Sequence, residues 1–251
     1  AGLADGGAGR APPRAADVAR PGRRDLPGLN APLAAGARAM RDDAGMPACT
    51  FSDPIRDELD SPGRPAAGVV GVLLAAGHAR RFGRDKRQLP WRGGPTLMEA
   101  ALRPLLSVCE RVVVVLPPGD AWGLLCSRAH GAGVAWSFAR GQGLAASLSS
   151  ALPQVGAASA MLVALADMGD VQVQTLERLV QAWRRHPGQL VLPVHAGQPG
   201  NPRLVPQVFY ERLVGLSGDD GVRRALDWSA ALRVPVDDAG VLRDVDVPAD
   251  A

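Results

Sequence analysis

The sequence predicts an α/β domain of three layers, in which helices cover both faces of a mostly parallel, Rossmann-like sheet. Several short runs are almost continuously apolar, which is typical of parallel strands buried on both faces. These runs alternate along the chain with segments whose apolar residues recur at helical spacing. The 251 residues, 47% of them hydrophobic, are enough for one sizeable core.

The individual elements follow from local signals. Strands are predicted at residues 69–74, 111–116, 134–138, 160–165, 190–194 and 204–205, and helices after Thr96, over 121–129, after Gly143 and over 176–183. Thr96 and Glu99 have the spacing of a capping box. Pro104 lies inside the first helical pattern and predicts a kink or an early end. Residues 196–200 are predicted to form a turn.

The first 67 residues differ in composition from the remainder. They are rich in Ala, Gly, Pro, Arg and Asp and lack periodicity, so we expect residues 1–67 to be a disordered extension and residues 68–251 to form the domain. The most apolar stretch of this region, residues 31–40, is interrupted by glycine and is too weak for a signal peptide. We therefore expect a cytoplasmic protein.

Charge, hydropathy and cysteine spacing argue against several classes of protein. A net charge of only +3 and few aromatic residues argue against nucleic-acid binding. No apolar run reaches the roughly 18 residues that a membrane helix needs. Cys49, Cys109 and Cys126 lack C-x-x-C spacing, so they indicate neither a zinc site nor a disulfide framework.

The segment after the first predicted strand has the character of a phosphate site. Ala75, Ala76 and Gly77 carry almost no side chain, so a ligand would have direct access to the backbone N–H groups. A cationic segment follows around Gly83; its basic residues are Arg80, Arg81, Arg84, Lys86 and Arg87. The glycine spacing fits neither a Walker A loop nor a dinucleotide-binding fingerprint.

This segment resembles the signature L-A-A-G-x-S-x-R-[MF]-G-x-x-K of the MobA-like nucleotidyltransferases. The matching residues are Leu74, Ala75, Ala76, Gly77, Arg81, Phe82, Gly83 and Lys86, and Ala79 stands where Ser is usual. The Ala-Ala-Gly form is more similar to the molybdenum cofactor cytidylyltransferase branch than to the guanylyltransferase branch. The resemblance implies nucleotide binding by Leu74, Ala75, Ala76, Gly77 and Gly83, and catalytic roles for Arg81 and Lys86.

Two later segments add candidate ligand contacts. Gly143 and Ser147 lie where a glycine-rich segment opens a helix, a place that suits a base, ribose or phosphate. They resemble the family segment G-[LM]-x-x-S-[LI], which contacts the nucleotide. Asp167 follows the fourth predicted strand, where a carboxylate is positioned to hold a divalent cation. It resembles the Asp of the family motif [AG]-D-M-P, and the resemblance implies catalytic and metal-binding roles for Asp167. Gly169 replaces the proline of the motif, and Asp170 is an alternative ligand.

The C-terminal half continues the resemblance. Asp244, Asp246, Pro248 and Asp250 match D-[IV]-D-[TV]-P-x-D, whose second Asp is a metal ligand, so Asp246 is the second candidate. Asn201 stands where the cytidylyltransferases carry His in Gly-His-Pro, a segment near the second substrate.

The resemblance implies Mg²⁺-dependent transfer of a nucleotidyl group, most simply CMP from CTP, to a phosphorylated acceptor with release of pyrophosphate. The implied acceptor is the molybdopterin-bound molybdenum cofactor, and transient contact with a molybdoenzyme would follow. Two alternatives stay open. One is transfer to another acceptor, such as a sugar phosphate, on the same fold. The other is a non-catalytic cofactor-binding protein serving a molybdoenzyme, which the departures at Ala79 and Gly169 keep in play.

Overall fold

The computed structural model describes residues 66–77, 85–138, 143–216, 218, 222 and 225–245. These residues form one eight-stranded sheet with helices on both faces. The strands are β1 (Ala66–Leu74), β2 (Cys109–Leu116), β3 (Gly133–Trp136), β4 (Ala160–Leu165), β5 (Val191–His195), β6 (Gln198–Pro199), β7 (Arg203–Pro206) and β8 (Leu232–Pro235). The α-helices are α1 (Leu97–Val108), α2 (Ala121–Ala129), α3 (Gly143–Val155) and α4 (Val173–Arg185), and 3₁₀ turns occupy Lys86–Gln88, Gln207–Leu213, Trp228–Ala230 and Ala239–Leu242.

The strand order is β3-β2-β1-β4-β7-β5-β6, with β8 paired to β5. Strands β1 to β4 are mutually parallel, and β7 runs antiparallel to both β4 and β5. The chain builds outward from β1 to β3 and then crosses back to place β4 on the other side of β1. Because strand order reverses there, a crevice forms at the carboxyl ends of β1 and β4, where ligands bind in open α/β sheets.

The core lies on both faces of this sheet, as the continuous apolar runs predict. Along β1, Val69 and Leu73 pack on the face covered by α1 and α4, while Val70 and Val72 pack on the opposite face with α3. All four side chains are almost completely buried. The predicted three-layer fold with a mostly parallel sheet is therefore confirmed.

Helix α1 begins as predicted and ends later than expected. The Thr96 side chain accepts from the Glu99 N–H, and the Glu99 carboxylate accepts from the Thr96 N–H at 2.8 Å, which completes the capping box. The helix continues four residues past Pro104 to Val108, so the expected early end is wrong. Leu102 and Leu105 are fully buried on either side of it. Burying each such side chain is worth about 1.5–3 kcal/mol, enough together to offset the roughly 3 kcal/mol that an internal proline costs.

Smaller differences concern element ends. The turn predicted at 196–200 contains the short strand β6, which forms a hairpin with β5. Strand β1 begins at Ala66, two residues before the predicted domain boundary, and the rest of the predicted extension lies outside the described residues. Within the part of the chain that the structure describes, no helix has the length and apolar character to cross a membrane.

Candidate active site

The turn after β1 lies at the crevice, and some of its backbone groups are used in hydrogen bonds to neighbouring segments of the sheet. The Ala75 N–H donates to the Val115 carbonyl at 2.9 Å, and the Leu74 carbonyl accepts from the Ala166 N–H at 3.1 Å. Leu74 and Ala75 are buried, whereas Ala76 is half-buried and Gly77 is exposed. Of the four predicted nucleotide-binding residues in this turn, Ala76 and Gly77 are the two that remain accessible to a ligand.

The backbone conformation at position 77 does not require glycine. Its φ lies outside the left-handed region, and a Cβ added there would meet no atom within 4 Å. The turn itself would therefore accept a larger residue. Open space above an exposed backbone is what a ligand lying on the main chain needs.

Lys86 and Asp167 lie together at this edge of the sheet. Lys86 Nζ donates to Asp167 Oδ2 and to the Val245 carbonyl, both at 2.8 Å. Their side chains are only 18% and 25% exposed, so both are less open to solvent than free surface charges. A lysine ammonium has three donors, so one remains without a partner among the described residues.

The Asp167 carboxylate retains a free acceptor. Its Oδ1 atom is buried and has no hydrogen-bond partner among the described residues. Oxygen ligands of this kind suit Mg²⁺, so the described part of the site fits the predicted cation. The Val245 N–H donates to the Asp167 backbone carbonyl at 3.0 Å, which ties the C-terminal segment to the site. Asp246 follows Val245 in sequence and lies outside the described residues, as do Arg81 and Gly83.

Both carboxylate oxygens of Asp170, the alternative metal ligand, already accept hydrogen bonds from other side chains. Its Oδ1 accepts from Arg92 Nε at 2.6 Å and from Trp91 Nε1 at 3.1 Å. Its Oδ2 accepts from Arg92 Nη2 at 2.6 Å and from Arg243 at 2.9 Å. The hydrogen bond from Arg92 is the main reason that the pKa of Asp170 lies below its usual value, since partial burial opposes the shift. Two guanidinium groups already neutralise this carboxylate, so it is poorly suited to hold a cation as well.

Gly169, which stands where the family motif has proline, lies against the Trp91 side chain. A Cβ at position 169 would lie 3.0 Å from Trp91 Nε1 and 2.9 Å from Leu97 Cδ1. The same indole N–H bonds Asp170, so Trp91 cannot move away without losing that contact. The substitution thus belongs to a local packing arrangement and leaves Asp167 in place.

Arg87 does not serve the phosphate role that the cationic segment suggested. Its guanidinium donates to the Asp85 carboxylate and to the Ala75 carbonyl, and forms an ion pair with Asp120 at 2.6 Å. It also lies over the Trp122 ring. The Arg87 side chain therefore links the turn after β1 to the start of α2. Sequence inspection missed it because Asp120 and Ala75 are remote from Arg87 in the chain.

The start of α3 lies at the same sheet edge. Gly143 has a φ of +78°, which explains the glycine at this position. Ser147 Oγ lies 3.4 Å from the hydroxyl of the buried Ser137, whose N–H donates to the Leu116 carbonyl at the end of β2. The predicted Gly143 and Ser147 contacts are thus positioned beside the carboxyl ends of β2 and β3.

A cavity of about 280 Å³ opens on the α3 face of the sheet. It is lined by apolar residues of α3 and β4, including Leu165, which precedes Asp167 by two residues. Its polar lining consists of Asn201, Arg203 and Trp228. The Trp228 Nε1 is buried without a hydrogen-bond partner among the described residues. The sequence had indicated only Asn201 of this set.

Comparison with known families resolves the identity of the fold. Residues 71–234 match the family model of the MobA-like NTP transferase domain. The chain belongs to this family. The matched range includes Lys86, Gly143, Ser147 and Asp167.

Relatives within the family differ in what their names say they do. The chain is 26% identical to the molybdenum cofactor cytidylyltransferase of Escherichia coli K12, over 71% of this chain and 91% of the relative. It is 33% identical to a "probable molybdenum cofactor guanylyltransferase" of Rhodopirellula baltica, over 61% and 73% of the two chains. It is also 30% identical to the nicotine blue oxidoreductase of Paenarthrobacter nicotinovorans, over 71% and 92%.

A solved structure shares the fold. The Rv0371c protein of Mycobacterium tuberculosis in complex with manganese superimposes with a TM-score of 0.54 at 26% identity, covering 74% of this chain and 92% of that one. That protein therefore carries a divalent cation on the same architecture.

Proposed function

We propose that this protein transfers CMP from CTP to a phosphorylated pterin of the molybdenum cofactor type, with release of pyrophosphate. The observation that carries the proposal is the paired Lys86 and Asp167 at the carboxyl ends of β1 and β4. The pair joins a cation suited to phosphate with a carboxylate suited to a metal, at the point where an α/β sheet binds ligands. The cytidylyltransferase relative of E. coli supports the choice of reaction.

The chemistry requires positioning and charge stabilisation more than proton transfer. A terminal phosphate has a second pKa near 6, so the acceptor is already ionised at neutral pH and needs no protein general base. The difficulty is that two polyanions must approach in line at the α-phosphorus. The unpartnered donor of Lys86 would stabilise the triphosphate, and Arg81 is proposed to add a second cation.

Mg²⁺ would be held by Asp246 and by Asp167 through Oδ1, which has no hydrogen-bond partner within the part of the chain that the structure describes. When bound, it would neutralise phosphate charge. The Lys86 bond to Asp167 Oδ2 keeps that carboxylate oriented with Oδ1 available.

Ala76 supports the choice of CTP. It is half-buried and packs with the apolar residues on the α3 face of the sheet. Gly143 and Ser147, the proposed base and ribose contacts, belong to the helix on that face. The Ala76 methyl group would reduce the room for a purine ring in the nucleotide site and leave enough for a pyrimidine.

The cavity lined by Leu165, two residues before Asp167 in sequence, is the proposed acceptor site. Its volume of about 280 Å³ is near the lower end of the range of small-ligand pockets, about 300–1,000 Å³. Apolar walls with a few polar groups suit a flat heterocycle, and the Asn201 amide belongs to that polar lining. The Arg203 guanidinium lies 4.7 Å from the centre of the Trp228 ring and adds positive charge there.

Pyrophosphate release tests the function directly. The purified protein would be incubated with Mg²⁺, each NTP in turn, and molybdenum cofactor or a sugar phosphate as acceptor. We expect turnover with CTP and the molybdenum cofactor, and Ala76→Gly should raise activity with GTP relative to CTP. Preference of the unaltered protein for GTP would overturn the cytidylyl assignment. Binding of the pterin without pyrophosphate release from any NTP would favour the non-catalytic alternative.

A further inference from the structure

A second group of metal-ligand side chains lies between α1 and α2, outside the nucleotide site. Glu99, Cys126 and His130 each offer one donor atom, and these three atoms all lie within 4.8 Å of one another. All three residues are half-buried. Cys126 and His130 are four residues apart at the end of α2, so they share one helix face.

Among the described residues, no hydrogen bond uses the three atoms of this cluster that would bind a metal. His130 Nδ1 lies 3.0 Å from the Cys126 carbonyl, which only accepts, so Nδ1 carries the proton and the neutral ring has its lone pair on Nε2. A backbone carbonyl in this role is typical of metal-bound histidines. Glu99 Oε2 accepts from the Thr96 N–H and hydroxyl, while Oε1 is directed to His130.

The spacing of the donors fits an intervening ion better than direct bonds. His130 Nε2 and Glu99 Oε1 are 3.6 Å apart, too far for a good hydrogen bond. Nitrogen and oxygen ligands of a tetrahedral Zn²⁺ lie about 3.3–3.4 Å from each other, given metal–ligand bonds of about 2.0–2.1 Å. Because all three donor atoms lie within 4.8 Å of one another, the Cys126 sulfur has to move by at most on the order of 1 Å to reach zinc–sulfur bonding distance.

We propose that Glu99, Cys126 and His130 bind one Zn²⁺ ion, with water as the fourth ligand. The mixed sulfur, nitrogen and oxygen set selects a borderline-soft ion over Mg²⁺. The ion would join the first turn of α1 to the end of α2. Helix α2 is also held at its start by the contact between Asp120 and Arg87, so zinc would secure the other end of the same helix.

The test uses the full-length protein after removal of metal with a chelator. Zn²⁺ affinity would be measured by competition with a chromophoric chelator, and Co²⁺ would be added separately as a spectroscopic probe. We expect one tight Zn²⁺ site, a thiolate-to-cobalt charge-transfer band, and a higher Tm with zinc. Cys126→Ser and His130→Gln should each weaken zinc binding at least about 100-fold, because even changes beyond the direct ligands cost about 10–100-fold.

Matched variants separate this site from incidental zinc binding. Glu99→Gln keeps the capping box, since Gln also serves at that position, yet should weaken zinc binding. Cys109→Ala and the exposed His186→Gln remove a thiol and an imidazole elsewhere and should leave zinc affinity unchanged. Equal zinc affinity of Cys126→Ser and the unaltered protein would overturn the proposal. Absence of the cobalt charge-transfer band in the unaltered protein would also overturn it, whether or not the variants fold.

Discussion

At the scale of single residues, the candidate site is held together by contacts between segments that are far apart in the sequence. Lys86 and Asp167 were both expected at the carboxyl edge of the sheet, and they form an ion pair there across 81 residues of sequence. The Val245 carbonyl, 159 residues from Lys86, had no sequence signal. A backbone carbonyl can accept from any residue that the fold brings near, so its role is invisible in a motif.

Lys86→Ala and Asp167→Asn should each reduce turnover about 10²–10³-fold, the usual cost, roughly 3–4 kcal/mol, of removing a preorganised charge at a transition state. Steady-state pyrophosphate release measures this loss. Only Asp167→Asn should also weaken the response to Mg²⁺ concentration. Lys86→Ala should lower Tm modestly, since it removes the bond to Val245.

The control for this pair is Asp170→Asn, which changes a nearby carboxylate already held by two arginines. It should affect stability and leave the Mg²⁺ response unchanged. Normal turnover and Mg²⁺ response in Asp167→Asn would show that the metal is held by other residues.

Gly77→Ala should weaken nucleotide binding without affecting stability. The added methyl group meets no protein atom within 4 Å, so the fold has no reason to respond, while a ligand on the backbone would lose its contact. Gly188→Ala is a matched control, because its Cβ also meets nothing within 4 Å and it lies after α4. Calorimetric titration with CTP and thermal melts measure the two effects. Unchanged CTP affinity in Gly77→Ala would exclude backbone contact at that residue.

At the scale of elements, the loop after β4 shows how packing explains a departure from the family motif. Gly169 lies against Trp91 and Leu97, and Trp91 in turn bonds Asp170. Trp91 belongs to the segment between β1 and α1, so this segment also helps to position the loop that carries Asp167. We therefore expect glycine to fit this loop better than the proline of the family motif.

Gly169→Pro, which restores the family residue, should destabilise this protein. The proline ring would overlap the Trp91 indole and Leu97, and overpacking of this kind typically costs about 1–3 kcal/mol. Urea unfolding monitored by tryptophan fluorescence measures the change. Combining it with Trp91→Ala should recover part of the loss, because the space beside residue 169 is then open. Greater stability of Gly169→Pro alone would contradict this account.

At the scale of the whole molecule, the pattern of apolar residues determines the three layers of the fold. The parallel strands determine where the candidate site lies. The four parallel strands bring the turn after β1, Asp167 and the start of α3 to one edge. Strand order, with β1 between β2 and β4, locates the crevice.

Deletion of residues 1–60 should leave Tm nearly unchanged, because their composition gives no core-forming pattern. Deletion of residues 1–68 is the control. It also removes the buried Ala66, which pairs with Cys109, and the Gly68 N–H, which donates to Glu110 at 2.6 Å, so it should lower Tm. A large drop in Tm from the shorter deletion would show that the segment contributes to the folded domain.

Sequence alone determined the α/β layers and the order of most elements, and it predicted Lys86 and Asp167 at one edge of the sheet, because these depend on local periodicity and on motifs of a few adjacent residues. Tertiary structure decided which charges are free. It paired Arg87 with Asp85 and Asp120, neutralised Asp170, and left Asp167 Oδ1 without a hydrogen-bond partner among the described residues. It also grouped Cys126 with His130 and Glu99, although cysteine spacing indicated no zinc site. These outcomes depend on contacts between segments distant in sequence, whose geometry is set only when the helices pack on the sheet.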